Sequence, residues 1–499
     1  MHESIVERGF AHSHSIFFIN IVDSISIIRH IRVIWEIEKM SESKNMDRQT
    51  FLRLLGMGGP ALLLMPGLLS SCKKYPLPDK RFEGTVGIIG AGIAGLYAAD
   101  MLQRQGISVK IYEASNRIGG RIRSVGSWAD HGMEWGAQEV LGKNHVLYDL
   151  LMNNAAQFVS STIQDYAWVN GYWLSEELMK ENQATKKLDE IIATLSSYDG
   201  ADMIANLYAE NQGIFGSTQH IWNARMGVQK GSSTDIMGIR GIADGIQASS
   251  NGSDHLVFQN GNWEVLLLSS FQELAVQFDT PILNIDYNAE KVILTDTNGS
   301  TYEHDKVLVA VPHSILKNQL TFAPLLPTEL RSQINAIAMR PALMVAMKFS
   351  APFWPEDARR IQIPGIWNEF EVTGSGGRSA GNNYLLARIT GSAYQTAIDL
   401  GTGLEAALLT ELNSYFGDQV ATSAFVESQR FDWGLEPWIQ GAQSYSTVGT
   451  QGSRAGLTNS VEHKIYFAGE ATHAEGHHGT VHGAMETAIR AVQQILQEA

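Results

Sequence analysis

The chain has 499 residues, 52 of them acidic and 37 basic, for a net charge of −15. That balance argues against any partner recognised through a phosphate backbone, so no nucleic acid is expected. A hydrophobic content of 44% supports large folded domains rather than disorder, and the single cysteine, Cys72, excludes an intrachain disulfide or a cysteine metal cluster.

Residues 1–39 differ from the rest. The stretch HSIFFINIVDSISIIRHIRVIW is apolar but broken by Asp23, Arg29, His30 and Arg32, which makes a poor membrane span. It reads as a non-native extension upstream of the true start, with Met40 or Met46 as initiator. Residues 40–72 read as a bacterial export signal. Lys44, Arg48 and Arg53 give a basic start, Leu54–Leu69 is a short apolar region, and Leu69-Ser70-Ser71-Cys72 resembles a lipoprotein box in which the cysteine is acylated. Asp47 to Arg53 also resembles a twin-arginine signal, with Gln49 where the second arginine would stand, so the export route stays open. Residues 73–81, with Pro76 and Pro78, read as a linker. The expected product is a membrane-anchored lipoprotein of the periplasm or cell surface.

A buried strand over Val86–Ile89 runs into Gly90-Ala91-Gly92-Ile93-Ala94-Gly95. An apolar helix follows from Leu96 to about Gln105, stopped by Gly106, and a second strand, Val109–Tyr112, ends in Glu113. This is the dinucleotide fingerprint in its required βαβ setting. Gly90 permits the tight turn, Gly92 lets the backbone approach a pyrophosphate, and Gly95 lets helix and strand pack closely. The helix start presents free N–H groups to the phosphates. Glu113 lies where a carboxylate can accept from ribose hydroxyls. The segment Glu113-Ala114-Ser115-Asn116-Arg117-Ile118-Gly119-Gly120-Arg121 adds a second glycine pair and two arginines, which suits FAD better than NAD.

At this point the sequence resembles the flavin-containing amine oxidase family, which includes monoamine oxidases, polyamine oxidases, L-amino-acid oxidases and histone demethylases. The resemblance runs over about residues 82–499. It implies an α/β fold: a discontinuous Rossmann-like FAD domain (82–145, 255–312 and 440–499) with an interleaved α+β substrate domain (146–254 and 313–439). In its first segment it implies cofactor contacts at Gly90, Gly92, Ile93, Ala94, Gly95, Glu113, Ala114, Arg117, Gly120 and Arg121.

Further along, Asp130 to Gly136 resembles the family segment that passes beside the flavin, which implies contacts at Gly132, Met133, Glu134 and Trp135. Trp135 stands where L-amino-acid oxidases carry a carboxylate-binding arginine, which counts against an ordinary L-amino acid as substrate. Residues 145–245 read as mainly helical, over His145–Asn153, Glu176–Ser197 and Ala201–Glu210. A helix is expected near Val265–Gln277. Ile282 matches a family position that holds adenine through its backbone. Strands over Lys291–Thr295 and Lys306–Val311 flank the turn at Thr297-Asn298-Gly299-Ser300, a hairpin signal.

The stretch from Met339 to Trp354 matches a family strand that usually carries a lysine near flavin N5; Met344 takes that position here. Lys348 shares the strand face but lies about 13 Å along it. This puts efficient reoxidation by oxygen in doubt. Trp433 is expected beside the flavin ring. Ala442 stands where monoamine oxidases attach FAD through a cysteine, so FAD is expected to be noncovalent. Gln443 and Thr480 occupy the two positions of the aromatic cage.

The C-terminal stretch carries the second specific signal. Ile465 to Phe467 leads into Gly469-Glu470, which can aim a carboxylate at ribityl or ribose hydroxyls, and a helix starts near Val481 after Gly479-Thr480. The resemblance places Val481 at flavin N1–C2=O, where the helix start opposes negative charge. His473, Glu475, His477, His478 and His482 invite a metal reading, but no distant ligand set accompanies them and no metal is expected. His477 or His478 is a candidate base or substrate-orienting group, with Gln443 and Thr480 as weaker candidates.

The function implied is FAD-dependent oxidation of an amine, with oxygen or another acceptor taking the electrons. The alternatives are a dehydrogenase or desaturase acting on a non-amine substrate, and a lipid-anchored FAD-binding protein without turnover.

Overall fold

The computed structural model describes residues 75–498, apart from 127, 130–132, 155, 157, 159–162, 250–254, 257–262 and 374–382. The leader, the lipoprotein box and Gly132 therefore lie outside the described residues. Those that are described belong to one compact unit. Among them, no helix is long and apolar enough to cross a membrane.

The strand Thr85–Ile89 sits at the centre of a five-stranded sheet in the order Ile465–Phe467, Lys306–Val309, Thr85–Ile89, Ser108–Tyr112, Val276–Gln277. All four pairings are parallel. The reason lies in the residues: the inner strands are short β-branched runs buried on both faces, as a parallel sheet covered by helices requires. The helix Ile93–Arg104 follows at once and buries Leu96, Ala98, Ala99 and Leu102. It ends at Gly106, whose φ of +74° takes the left-handed conformation that closes a helix. The final helix, Val481–Gln497, packs in the same core through Met485, Ala488, Val492 and Ile495. The fold is α/β, with this Rossmann-like layer as its base.

Residues 75–81, expected to be a linker, are docked instead. The Arg81 N–H donates to Leu496 O at 2.8 Å, and Gln493 Nε2 donates to Pro76 O at 3.2 Å. Tyr75 and Leu77 supply the apolar contact with the first core that holds them there.

A second, mixed sheet has seven strands in the order Phe425–Asp432, Leu343–Phe349, Tyr384–Ile389, Glu369–Thr373, Ala358–Gln362, Gln164–Val169, Tyr172–Ser175. Its two faces differ. Leu343, Val345, Met347 and Phe349 alternate into an apolar cluster with Phe370, Leu385 and Ala387. The opposite face carries Met344, Ala346 and Lys348, paired across the sheet with Arg388, Leu386 and Tyr384. Glu371 lies opposite Leu386, Arg360 opposite both Glu371 and Asp165, and Gln362 opposite Glu369. This face is therefore rich in charge.

One expectation is extended and two need correction. The region 145–245 contains the hairpin Gln164–Val169/Tyr172–Ser175 in addition to its helices. Its turn, Asn170-Gly171, has positive φ at both residues, the backbone twist that a two-residue hairpin favours. The turn at Thr297–Ser300 joins Val292–Asp296 to Thr301–His304, not to Lys306–Val309. Asp305 separates the two strands, its N–H held by Thr85 O, and Lys306–Val309 then enters the parallel sheet. The helix expected over Val265–Gln277 runs over Trp263–Phe271, and Val276–Gln277 is the edge strand of the parallel sheet beside Ile111 and Tyr112.

Candidate active site

The loop after the first strand is shaped by steric necessity. Gly90 has φ +103°, and a Cβ on Gly95 would lie 2.0 Å from Gly90 O, so any larger residue there would push helix and loop apart. Gly92 differs: a Cβ built on it meets nothing within 4 Å. It faces open space at the start of Ile93–Arg104, a helix with no side-chain cap and no acidic residue in its first turn. The N–H groups of Ile93, Ala94 and Gly95 precede the first intrahelical bond, which Leu96 makes to Gly92 O. An uncapped helix start facing open space fits a pyrophosphate.

Glu113, at the end of the second strand, is anchored to the same loop. Its Oε2 accepts from Ala91 N–H at 2.7 Å and its Oε1 from Ser115 N–H at 2.9 Å, which holds the carboxylate at the loop with lone pairs to spare. Ala114 lies between these anchors. Ile282 is nearby: Thr280 N–H donates to Glu113 O, and Ile282 is buried two residues on. Arg117 donates to the carbonyls of Ile118, Gly120 and Ile122, so it shapes the second glycine turn.

Glu470 is the hub of the opposite side. Arg121 pairs with its Oε1 at 2.7 Å, while Ser444 Oγ and Gly479 N–H donate to its Oε2 at 2.6 and 2.7 Å. Arg454 donates in turn to Ser444 Oγ and Ala471 O. Burial pushes the Glu470 carboxyl up, but Arg121, Arg454 and Ser444 outweigh it and hold it down at about 2. Its work within the fold is thus to join three segments, a role beyond the hydroxyl contact expected for it. Beside it Gly469 faces open space, as Gly92 does.

Thr480 is placed as the cap of the final helix. Its Oγ1 accepts from Gly483 N–H at 3.0 Å and donates to His477 O at 2.7 Å. Both contacts serve the helix start, and one lone pair of the hydroxyl remains. Val481 is the first helical residue. Gln443 Nε2 donates to Gly479 O at 2.8 Å, so its amide also braces this loop.

The histidines separate by environment. His477 Nδ1 meets Glu486 at 2.6 Å, and its Nε2 meets Ala248 O at 3.1 Å. Carboxylate and carbonyl only accept, so both ring nitrogens donate and the ring is an imidazolium. Burial opposes this charge, but the hydrogen bond and charge of Glu486 raise the group above its ordinary value. A ring with both nitrogens donating is not a base, which corrects that reading of His477. His473 Nδ1 accepts from the N–H groups of Glu475 and His477, so its Nε2 proton goes to Glu486 at 2.9 Å. His473, His477 and Glu486 cluster closely enough to hold an ion, but the His473 tautomer leaves no lone pair directed at it. His478 is different: among the described residues it has no hydrogen-bond partner, and burial, then Arg454, keep it neutral.

Met133, Glu134, Trp135 and Trp433, expected beside the flavin, lie close to one another. Trp433 Nε1 donates to Trp135 O at 3.0 Å, and Trp135 stacks on Phe431 at 6.0 Å. Met133, Trp135 and Trp433 share a buried cluster with Met344, Ala346 and Tyr384 of the charged sheet face. Glu134 accepts from Ser124 Oγ and from Trp263 N–H, which ties this segment to the next helix. Arg388, beside Met344, contacts Gln138 and lies 3.4 Å from Glu371. It also lines a polar cavity of about 210 Å³ with Asn223, Ser232, Thr234 and Asn368. Arg360 pairs with Glu139, Asp165 and Glu369. None of these charged residues stood out in the sequence, because each reaches the site through strand register rather than through a local motif. Arg121, by contrast, stands out in the sequence through its Gly119-Gly120-Arg121 context.

Comparison with known proteins bears on this arrangement. The family model for flavin containing amine oxidoreductase matches residues 174–496, and one for an NAD(P)-binding Rossmann-like domain matches residues 88–152. A human protein, lysine-specific histone demethylase 2, is 26% identical over 480 residues, covering 87% of this chain and 56% of its own length. Polyamine oxidase 4 of Oryza sativa is 24% identical over 480 residues, covering 87% of this chain and 91% of its own. The chain spans 56% of the length of that human demethylase and 59% of a related one from Oryza sativa. A redesigned putrescine oxidase shares the fold with a TM-score of 0.71 at 20% identity, covering 83% of this chain and 99% of that one. Cyclohexylamine oxidase from Brevibacterium oxydans does so at 0.69 and 20% identity, covering 84% of this chain and 98% of that one. The dinucleotide that suits the two glycine turns and the uncapped helix is FAD, and the chain belongs to the flavin containing amine oxidoreductase family.

Proposed function

We propose that the protein is an FAD-dependent amine oxidase, acting on a small amine and passing the electrons to oxygen with release of hydrogen peroxide. The observation that carries this reading is the pairing of an open, uncapped helix start at Gly92 with a buried, aromatic-rich wall around Met344. FAD, when bound, accepts the hydride that leaves the carbon beside the substrate nitrogen. The chain's own residues do the rest. The Ile93–Gly95 amides and Glu113 hold the dinucleotide, and Glu470 locks Arg121 and Gly479 N–H into one frame. The start of the final helix at Val481 offers its positive end to negative charge. Met133, Trp135 and Trp433 exclude water, so charge interactions within the site are strengthened. Ala442 offers no thiol, so FAD is held without a covalent bond.

On this reading, 82–145, 255–312 and 440–499 form the FAD-binding part, and 146–254 and 313–439 the substrate part. The relatives named for polyamines, putrescine and cyclohexylamine support aliphatic amines as the first substrates to try. The test is anaerobic addition of such amines to the flavin-loaded protein. Bleaching at about 450 nm, followed by recovery in air with peroxide, supports the proposal. Bleaching without recovery in air would favour a dehydrogenase with another acceptor.

We further infer that the protein is exported and anchored through a lipid on Cys72, supported by the basic, apolar and Leu69–Cys72 pattern of residues 40–72. Intact-mass measurement of the mature chain tests this. A diacylated N-terminus at Cys72 is expected, and a chain retaining residues 1–39 would overturn it.

A further inference from the structure

The polar cavity lined by Arg388 is built by segments far apart in the chain. Residues 228–235 and 389–393 are clamped together along it: Thr390 Oγ1 donates to Ser232 O at 2.7 Å, and Ser392 N–H donates to Ser233 Oγ at 3.2 Å. Gly391 permits the clamp, since its φ is +60° and a Cβ there would lie 2.1 Å from Ser233 Oγ. Residues 366–368 line the cavity too, as do Asn206 and Asn223 on the helices Ala205–Asn211 and Gln219–Met226. Its volume of about 210 Å³ is below the roughly 300–1,000 Å³ of a pocket that takes a whole drug-sized ligand, so it suits one end of a substrate.

The side-chain groups left unspent in this lining are mostly donors. Gln219 Nε2 donates to Asn206 Oδ1 at 3.1 Å and to Asn223 Oδ1 at 3.2 Å, and Thr234 Oγ1 shares its one proton between the same two oxygens. Both amide oxygens are thus occupied, while among the described residues nothing accepts from the two Nδ2 groups. Ser232 is fully buried, and its hydroxyl has no partner among the described residues. Arg388 supplies the charge. Its Nη2 meets Gln138 Oε1 and lies 3.4 Å from Glu371, but among the described residues nothing accepts from its Nε or Nη1. Glu371 answers that charge only in part: burial pushes its carboxyl up to about 7, although Arg388 opposes this. The carboxylate in the lining itself, Asp235, is exposed, so solvent screens it.

Arg388 also connects the cavity with the segment expected beside the flavin. It lies opposite Met344 in the sheet, and residues so opposed share a face with their Cα atoms about 4.5–5.5 Å apart. Met344 packs with Met133, Trp135 and Trp433, and Gln138 lies four residues beyond Glu134. We propose that this cavity is a subsite for a carboxylate, and that the preferred substrates are aliphatic amines carrying that carboxylate at the end remote from the reacting carbon. The proposal rests on the amine oxidase reading. A carboxylate brings acceptors only, which complements the guanidinium and amide N–H groups the lining leaves unspent. An ammonium at that end would meet donors and a like charge, so the same wall rejects a diamine.

The test uses the flavin-loaded protein. By flavin reduction, 4-aminobutanoate, 5-aminopentanoate and 6-aminohexanoate are each compared with the alkylamine of the same chain length and with putrescine. In the wild type at least one aminocarboxylate should have a KM about tenfold or more below that of its alkylamine, as a charged hydrogen bond supplies. In Arg388→Met that ratio should fall to about one, through KM rather than kcat. A second readout needs no turnover. Pentanoate, which has no amine to oxidise, should raise the melting temperature of the wild type saturably and leave that of Arg388→Met unmoved. A lower KM for putrescine or the alkylamines than for every aminocarboxylate, or an equal pentanoate response in the two proteins, would overturn the carboxylate subsite. If no amine of any kind reduces the wild-type flavin, the amine reading itself falls, and the pentanoate titration alone then decides whether the cavity holds a carboxylate.

Discussion

Where the central strands of the parallel sheet end, the surface is backbone: the open side of Gly92, the amides of Ile93–Gly95, and Gly469. One face of the seven-stranded sheet is instead made of long side chains, with Arg388, Glu371, Arg360 and Glu369 set in neighbouring register. The two surfaces suit different tasks. Backbone donors cannot be retuned by substitution, so they fit a ligand that never changes. Side chains on a rigid sheet can change charge and reach without disturbing the strands, so they fit the part of a site that chooses a substrate. It follows that changes on the first surface should abolish cofactor retention, and changes on the second should alter selectivity.

The largest effect should come from Gly95→Val. Its Cβ would be driven into Gly90 O, closer than any real contact, and overpacking of this kind costs about 1–3 kcal/mol or more. The purified protein should carry almost no flavin by absorbance, and retained flavin would break the comparison. Next is Glu470→Ala, which leaves Arg121 and the buried Arg454 without their shared anion, at about 3–5 kcal/mol by analogy with broken buried pairs. Its pH dependence has a definite sign. The folded carboxyl is held down at about 2, so its stabilisation is present above the unfolded value of about 4.3 and is lost as pH falls towards 2. Urea unfolding of wild type and variant should converge between those values.

His477→Gln should have a smaller effect, about 1–2 kcal/mol, from loss of a charged hydrogen bond to Glu486. Here the folded value is raised, so the contribution is complete below the unfolded value of about 6.5 and fades as pH rises through the folded one. The melting temperatures of wild type and variant should therefore approach each other on the alkaline side, and a constant gap would remove the imidazolium assignment. The mildest change should be Arg388→Met, which should leave flavin content unchanged and shift KM about tenfold for one amine relative to another, about 1.4 kcal/mol. Equal shifts for all amines would mean that this face does not discriminate between them.

The same contrast explains what could be read in the sequence. The first strand, the glycine loop and the first helix are local, so the fingerprint places them within a few residues. Glu113 and Glu470 were visible because each ends a strand in a motif. Arg388 was not, since its relation to Met344 exists only across two strands that are 44 positions apart in the chain. The misassigned hairpin has a physical cause: Asp305 alone separates Thr301–His304 from Lys306–Val309, so two strands of different sheets look like one. The missed hairpin at Asn170-Gly171 had a usable signal in that dipeptide and in the alternating burial of Gln164–Val169.

The central claim is that the backbone-built half of the site holds FAD for oxidation of an amine in the side-chain-built half. The measurement that tests it most directly is the visible spectrum of the purified protein during anaerobic titration with aliphatic amines, followed by admission of air. The account predicts a flavin spectrum that one amine class bleaches and that oxygen restores with peroxide release. A protein that takes up no flavin on reconstitution, or one whose bound flavin no amine reduces, would contradict it.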